Sequence, residues 1–189
     1  MFCFDIETLD LESTAVVLSA AIVYFDPKKE TSYQELLDKT LFVKFNVSDQ
    51  IQRLHRTIGK STAEWWETKP EYIKRVSLYV SNADVVVEDG YDIIMSYINS
   101  YSGTHTFWAR GNMDDVVFSS LLNKVDKPPI AQYNMWRDVR TAIDIIYGTT
   151  NGYCDVTHPD FNRDLVLKHH PAHDVCLDVM MLLYGKQNV

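Results

Sequence analysis

The pattern of hydrophobic and polar positions changes period near residue 60. Phe2 to Ile6 alternates and predicts a strand. Ala15 to Phe25 is apolar but for Ser19 and predicts a long buried strand, ended by Asp26-Pro27. Thr40 to Phe45 alternates again, and the three together predict an antiparallel meander with short connections. Beyond residue 60 the spacing becomes helical. Ser61-Thr62-Ala63-Glu64 has the form of a capping box and opens a helix through Trp65 and Trp66. Asp89 to Tyr101, Asp114 to Asn123 and Val139 to Tyr147 are helical, with strands at Thr104 to Ala109 and Tyr133 to Trp136 between them. Gly148 stops the third of these helices. Residues 149–165 read as a polar loop. Pro171 to Tyr184 is a terminal helix, with Pro near its first position and Gly185 as its cap. The order is βββ and then αβαβα. It predicts an α/β fold with a mixed five-stranded sheet and helices packed on it.

Length and composition narrow this further. With 189 residues and no Pro-, Gly- or Ser-rich linker, one domain over 1–189 is expected. The 23 aromatic residues supply a core and exclude disorder as the main character. No apolar run reaches the roughly 18 residues of a membrane span, and MFCFDIETLD has no basic region of the signal-peptide kind. Cys3, Cys154 and Cys176 are odd in number and far apart. That spacing suits a reducing cytoplasm better than a disulfide framework. The formal net charge of −8 argues against simple charge-driven binding to nucleic acid.

The acids carry the candidate chemistry. Asp5 and Glu7 are two apart on a strand whose other residues are apolar, so both leave one face at a buried end. Paired carboxylates there are costly unless neutralised, and divalent cations would do so. A second D-x-E, Asp10 and Glu12, falls in a polar turn where solvated charge needs no partner. On the terminal helix Asp178 lies beside the apolar stripe, with Val175 and Leu182 as neighbours, and calls for a partner. Asp174 in the first turn is explained by the helix dipole. His173 stands five residues before Asp178, and His169 stands five before Asp174 across Pro171. The 173/178 pair is favoured because Asp178 is the acid in the apolar setting. Asp114 and Asp115 follow Gly111 where a turn after a strand opens a helix.

These residues resemble a family. Phe4-Asp5-Ile6-Glu7-Thr8, Gly111 to Asp115 and His173 to Asp178 are similar to the three motifs of the DEDDh 3'-5' exonucleases, within the ribonuclease H-like superfamily. Three longer stretches are Ser61 to Trp66, Trp136 to Thr141 and Ala172 to Met181. They resemble the group that contains T-even phage exonuclease A and a small mycobacterial exoribonuclease. The resemblance implies a ribonuclease H-like fold and two divalent ions, Mg2+ or Mn2+, on Asp5, Glu7, Asp115 and Asp178. His173 would be the general base. Asp115 is preferred to Asp114 as the third acid, although the aromatic that commonly precedes that acid is replaced by Asp114. The activity implied is metal-dependent hydrolysis from the 3' end of single-stranded DNA or RNA, releasing nucleoside 5'-monophosphates. Two bound ions would halve the formal charge and make the site an anion attractor.

Substrate contacts are expected from the basic cluster of Arg53, Arg56 and Lys60. Trp65 and Trp66 point about 100° apart on a helix, so one enters the core and the other can stack on a base. Leu9 and Leu11 follow the first motif and can wedge against a terminal base. Arg137 and Arg140 flank Asp138 and suggest a structural ion pair. No membrane partner is expected, a homodimer is compatible with the family, and a phage-encoded enzyme would act in the host cytoplasm. The alternatives are a non-catalytic nucleic-acid-binding module on the same fold and a proofreading subunit of a polymerase.

Overall fold

In the computed structural model, residues 1–186 are described, and they form a five-stranded mixed sheet flanked by helices. β1 (Phe2–Thr8) lies at its centre. β2 (Val17–Tyr24) runs antiparallel to β1, with Asp5 opposite Ala21 and Glu7 opposite Ser19. β3 (Leu41–Lys44) pairs antiparallel with β2. On the other side β4 (Phe107–Ala109) and β5 (Trp136–Asp138) run parallel to β1, so the order is β3-β2-β1-β4-β5. The antiparallel half and the parallel half meet at β1.

The meander is longer than the apolar pattern suggests. α1 (Tyr33–Lys39) separates β2 from β3. Its start was readable, because Ser32 and Glu35 form a complete capping box. Ser61 and Glu64 do not form one. α3 (Lys60–Glu67) begins two residues earlier than that box would place it, with Gly59 at its N-cap and no side-chain cap. The Gly59 amide donates to the Leu9 carbonyl at 2.8 Å, and a Cβ there would collide with Asp10. Close packing on the Asp10 turn therefore sets the helix start, and Glu64 faces Lys60 instead. α2 (Val47–Gln52) precedes it. α4 (Glu71–Ile73) runs into a π-helical turn at Lys74–Leu78.

α5 (Val87–Asn99) and α6 (Met113–Asn123) cover the face of β1 that carries Phe2, Phe4 and Ile6. α8 (Pro171–Tyr184), α1 and α7 (Val139–Tyr147) cover the opposite face around Cys3, Ala21 and Val23. Period-2 alternation along β1 therefore feeds two cores, and it aims Asp5 and Glu7 toward α8. Gly148 caps α7 in the left-handed region, at φ 68°. Gly185 does not cap α8 that way. It is extended, at φ −62° and ψ 153°, and leads into β7 (Gly185–Lys186), which pairs with β6 (Asp155–Val156) inside the 149–165 segment. A side chain at 185 would strike Tyr147 and Cys154, so close approach is what requires glycine there. Tyr133–Met135 is a 3₁₀ turn, and the strand begins at Trp136. The three cysteines are buried and unpaired. No helix among the described residues is long and apolar enough to cross a membrane.

Arg56 belongs to this framework and not to a binding surface. It is 4% exposed. Its guanidinium donates to the carbonyls of Ala15, Ser13 and Val117 and to the Ser120 hydroxyl. It thus ties the 13–15 turn to α6. Arg56→Met should lower stability by about 2 kcal/mol, because several buried carbonyls lose their donor. Activity per folded molecule should stay within about twofold; urea denaturation checks the first and specific activity the second.

Candidate active site

β1 outlasts its parallel neighbour. β4 pairs only with Phe2 and Cys3, so the later amides of β1 on that side face no strand. The Ile6 amide donates instead to Asp114 Oδ1 at 3.2 Å. Gly111 turns the chain out of β4 at φ 86°, a left-handed conformation that favours glycine. α6 then starts on Asn112, and Asp114 in its first turn is carried back over β1. Asp115, the next residue, points elsewhere. It is half-buried and accepts from Ser119 Oγ one turn along α6. The structure therefore brings Asp114, not Asp115, to the first motif.

α8 contributes the rest. Asp174 in its first turn and Asp178 one turn on both face β1 and line the same pocket as Asp5, Glu7 and Asp114, a cavity of about 320 Å³. His169 lies just before the helix and also lines it. Its backbone is left-handed, at φ 66°, an uncommon conformation for a residue with a side chain. Both of its main-chain groups are tied down. Its amide donates to Asp174 Oδ2 at 2.9 Å, and its carbonyl accepts from Ser77 Oγ at 2.8 Å. The ring packs edge-on against Trp65, with centroids 4.7 Å apart. Ligand atoms of Glu7, His169 and Asp174 lie within 4.8 Å of one another. His173 is not brought in. Its Nδ1 sits 2.7 Å from the Tyr33 hydroxyl and its ring 4.8 Å from that of His170, in the packing against α1.

Charge is concentrated here and mostly unneutralised. Asp178 receives Arg110 Nε at 2.7 Å, the one ion pair within the acid cluster among the described residues. Burial first, and then Asp114, Glu7 and the two α8 acids, push the Asp5 carboxyl well above its ordinary range. Glu7 is raised by burial and then by Asp174 and Asp114. Burial raises Asp114 and Asp174 to about 7 each, and Asp178 to about 6 despite its arginine. Burial also lowers the pKa of the His169 ring, with Lys69 and Lys168 acting in the same direction, which favours its neutral form near neutral pH. Several carboxylates held together without cations form a donor set for hard divalent ions.

Residues 1–182 match the Rv2179c-like family, described as a 3'-5' exoribonuclease domain. The chain belongs to this family. It is also 28% identical over 204 residues to the exodeoxyribonuclease of Enterobacteria phage T4, an alignment covering 97% of this chain and 88% of that protein.

For a member of the Rv2179c-like family, the expected substrate contacts divide sharply. Trp66 is the core member of its pair: it is 1% exposed, and its Nε1 donates to the Thr8 carbonyl at 2.9 Å. Trp65 is 38% exposed, with Lys69 Nζ 3.7 Å above its ring. Leu9 is buried against Trp66 and Ile73, whereas Leu11 is 72% exposed. Trp65 and Leu11 line a second, more apolar cavity of about 430 Å³, which shares Ile6, Glu7 and Met113 with the acid pocket. Arg53 is held by Asp49 and Glu88, each in two-point contact, so its guanidinium is already occupied. Asp138 makes no ion pair with Arg137 or Arg140 among the described residues; it caps α7 by accepting from the amides of Arg140 and Thr141.

The sequence favours the 173/178 pair because Asp178 is the acid in the apolar setting, but that setting is explained by Arg110. His169 precedes the helix that Pro171 opens, so its side chain is not bound by helical angles. That break is the signal that finds it.

Proposed function

We propose that this chain is a DEDDh-type, metal-dependent 3'-5' exonuclease, one ribonuclease H-like domain over 1–189, acting on single-stranded nucleic acid. The strand order, with an antiparallel half and a parallel half meeting at β1, supports the ribonuclease H-like reading. The observation that carries the function is the convergence of Asp5, Glu7, Asp114, Asp174 and His169 on one pocket beside an apolar cavity. A non-catalytic binding module needs no such repelling cluster.

Asp5, Glu7, Asp114 and Asp174 would hold two Mg2+ or Mn2+ ions. Their fit rests on the oxygen-only donor set and on a mutual repulsion that the arginines and lysines around the pocket relieve only in part, since all four carboxyls stay raised. When bound, such ions supply Lewis acidity toward water and the phosphate. His169, neutral near pH 7 and fixed through both main-chain groups, accepts the proton of the attacking water. Asp174 also orders the His169 loop through its amide. Asp178 holds Arg110, and so borders the acids without being free to join them.

The terminal base enters the apolar cavity between Leu11 and Trp65, placing its 5' phosphate at the acids. Cleavage then releases a nucleoside 5'-monophosphate. Stacking is sequence-tolerant and available only to an unpaired base, which supports single strands as substrate. Trp65→Ala should raise KM about tenfold with little change in kcat, as measured by steady-state kinetics on a single-stranded oligonucleotide.

The decisive experiment uses 5'-labelled single-stranded DNA and RNA of equal sequence with Mg2+, Mn2+ or chelator. A one-nucleotide ladder that chelator abolishes is expected. Internal cuts, or cleavage indifferent to chelator, would refute the reading.

A further inference from the structure

The acid pocket is bordered by two unlike walls. On one side Glu7 borders the apolar cavity of Leu11 and Trp65. On the other side, past the ends of β4 and β5, the wall is cationic and aromatic, formed by Arg110, Arg140 and Tyr153, none of which lines the apolar cavity. That wall is built around Gly152. The Gly152 carbonyl accepts from Arg110 Nη1 at 2.9 Å, and its amide donates to Asp144 Oδ1 at 2.8 Å. Its Cα presses on the Arg140 stem so closely that a Cβ would lie 2.6 Å from Arg140 Cβ and Cγ. Gly152 has φ 71°.

The two arginines are in different states. Arg110 is committed to Asp178 and Gly152, and its guanidinium lies 4.0 Å from the centre of the Tyr153 ring. Arg140 is exposed, and among the described residues no side-chain hydrogen bond or ion pair occupies its guanidinium. Its stem is held while its fork is free at the rim of an acidic pocket. Lys168 also reaches this rim, but on the His169 side and as a point charge. A guanidinium fork suits two oxygens of one phosphate.

We infer that Arg140 grips the phosphate one step 5' of the scissile bond, so that it is a specificity-determining residue for polynucleotide over isolated phosphodiester. The inference rests on the exonuclease reading, which places the terminal nucleoside on the Glu7 side and directs the upstream strand toward the arginine wall.

The test compares wild type, Arg140→Gln and Arg140→Lys on two substrates. One is a single-stranded 12-mer. The other is the p-nitrophenyl ester of thymidine 5'-monophosphate, which has a scissile phosphodiester and no upstream phosphate. Arg140→Gln keeps the stem and should raise KM for the 12-mer about tenfold to a hundredfold, leaving the ester unchanged within about twofold. Arg140→Lys should recover part of that loss. In chelator, where no turnover is expected, anisotropy of a labelled 12-mer should show a dependence of log K on log salt shallower by about 0.7 for Arg140→Gln. Equal losses on both substrates, or an unchanged KM for the 12-mer, would overturn the upstream-phosphate role alone. A wild-type protein inert on both substrates would overturn the exonuclease reading, and this one with it.

Discussion

Asp114→Asn should reduce exonuclease activity by about 10³-fold or more, while Asp115→Asn, one residue away, should stay within about threefold. The contrast follows from where each carboxylate points. Asp114 is buried against Asp5 and accepts the Ile6 amide, whereas Asp115 faces Ser119 on the flank of α6. A proposed ligand to a catalytic cation contributes several kcal/mol at the transition state, and about 4 kcal/mol is three powers of ten. Asparagine keeps an oxygen for the Ile6 amide, so the fold is preserved. It also removes one member of a repelling cluster, so the metal-free variant should melt higher than wild type at pH 8. Activity lost with stability gained separates a functional acid from a structural one. The same logic applies on α8. His169→Ala should cost about 10²- to 10⁴-fold, the range for a general base, and His173→Ala much less. Asp178→Asn should destabilise, because it leaves Arg110 buried without its counter-charge. Thermal melts and single-turnover assays on this set decide the assignment. Full activity in Asp114→Asn would end it.

The second large effect is on stability. Without divalent ions, melting temperature should fall as pH rises from about 6.5 to 8, and Mg2+ or Mn2+ should reverse the fall. Asp114 and Asp174 have folded pKa values raised to about 7, and Asp5 and Glu7 are raised as well. Unfolded carboxyls are already ionised at pH 6.5. The native state therefore holds more protons than the unfolded state, and stability drops as those protons leave. Each carboxyl at about 7 contributes about 1 kcal/mol of loss over this window, or roughly 2–4 °C at this chain length. The histidines oppose this fall only in part. His169, His170 and His173 have lowered folded pKa values, His170 to about 4, so they add stability as pH rises, but above pH 6.5 by at most about 0.4 kcal/mol each, less in total than the carboxylate loss. Cations that bind only the native state oppose the carboxylate loss by mass action, more at pH 8 than at pH 6.5. Differential scanning fluorimetry in chelator and in millimolar metal reads this directly. A flat or rising metal-free curve, or no metal-induced shift at pH 8, would contradict the clustered-acid account.

Much of this was legible in the residues. Alternation at Phe2, Phe4 and Ile6 against Asp5 and Glu7 revealed the central strand and the face its acids take. The sheet follows from the change of period near residue 60. What the sequence concealed was decided by contacts. Asp114 and Asp115 are both acids in a first helical turn, and only the free Ile6 amide distinguishes them. Asp178 was correctly singled out as a buried acid needing a partner, but that partner is Arg110, 68 residues earlier. Arg53 and Arg56 look alike as positive charges in a short segment. One is bound by carboxylates from two helices and the other by main-chain carbonyls, and neither fact is local. α1 was written in the Ser32 and Glu35 pair and was hidden by the apolar runs on either side.

The mismatch in length between β1 and β4 has a consequence for how this fold could change. A sheet gains by completing its ladders, and two further residues of parallel pairing would give the Ile6 amide a strand partner. That gain would evict Asp114, because the acid is moored to a rung the sheet leaves open. The pocket is thus located where the sheet is unfinished. Any drift toward a longer β4 would make a better-knit scaffold with one carboxylate cast loose.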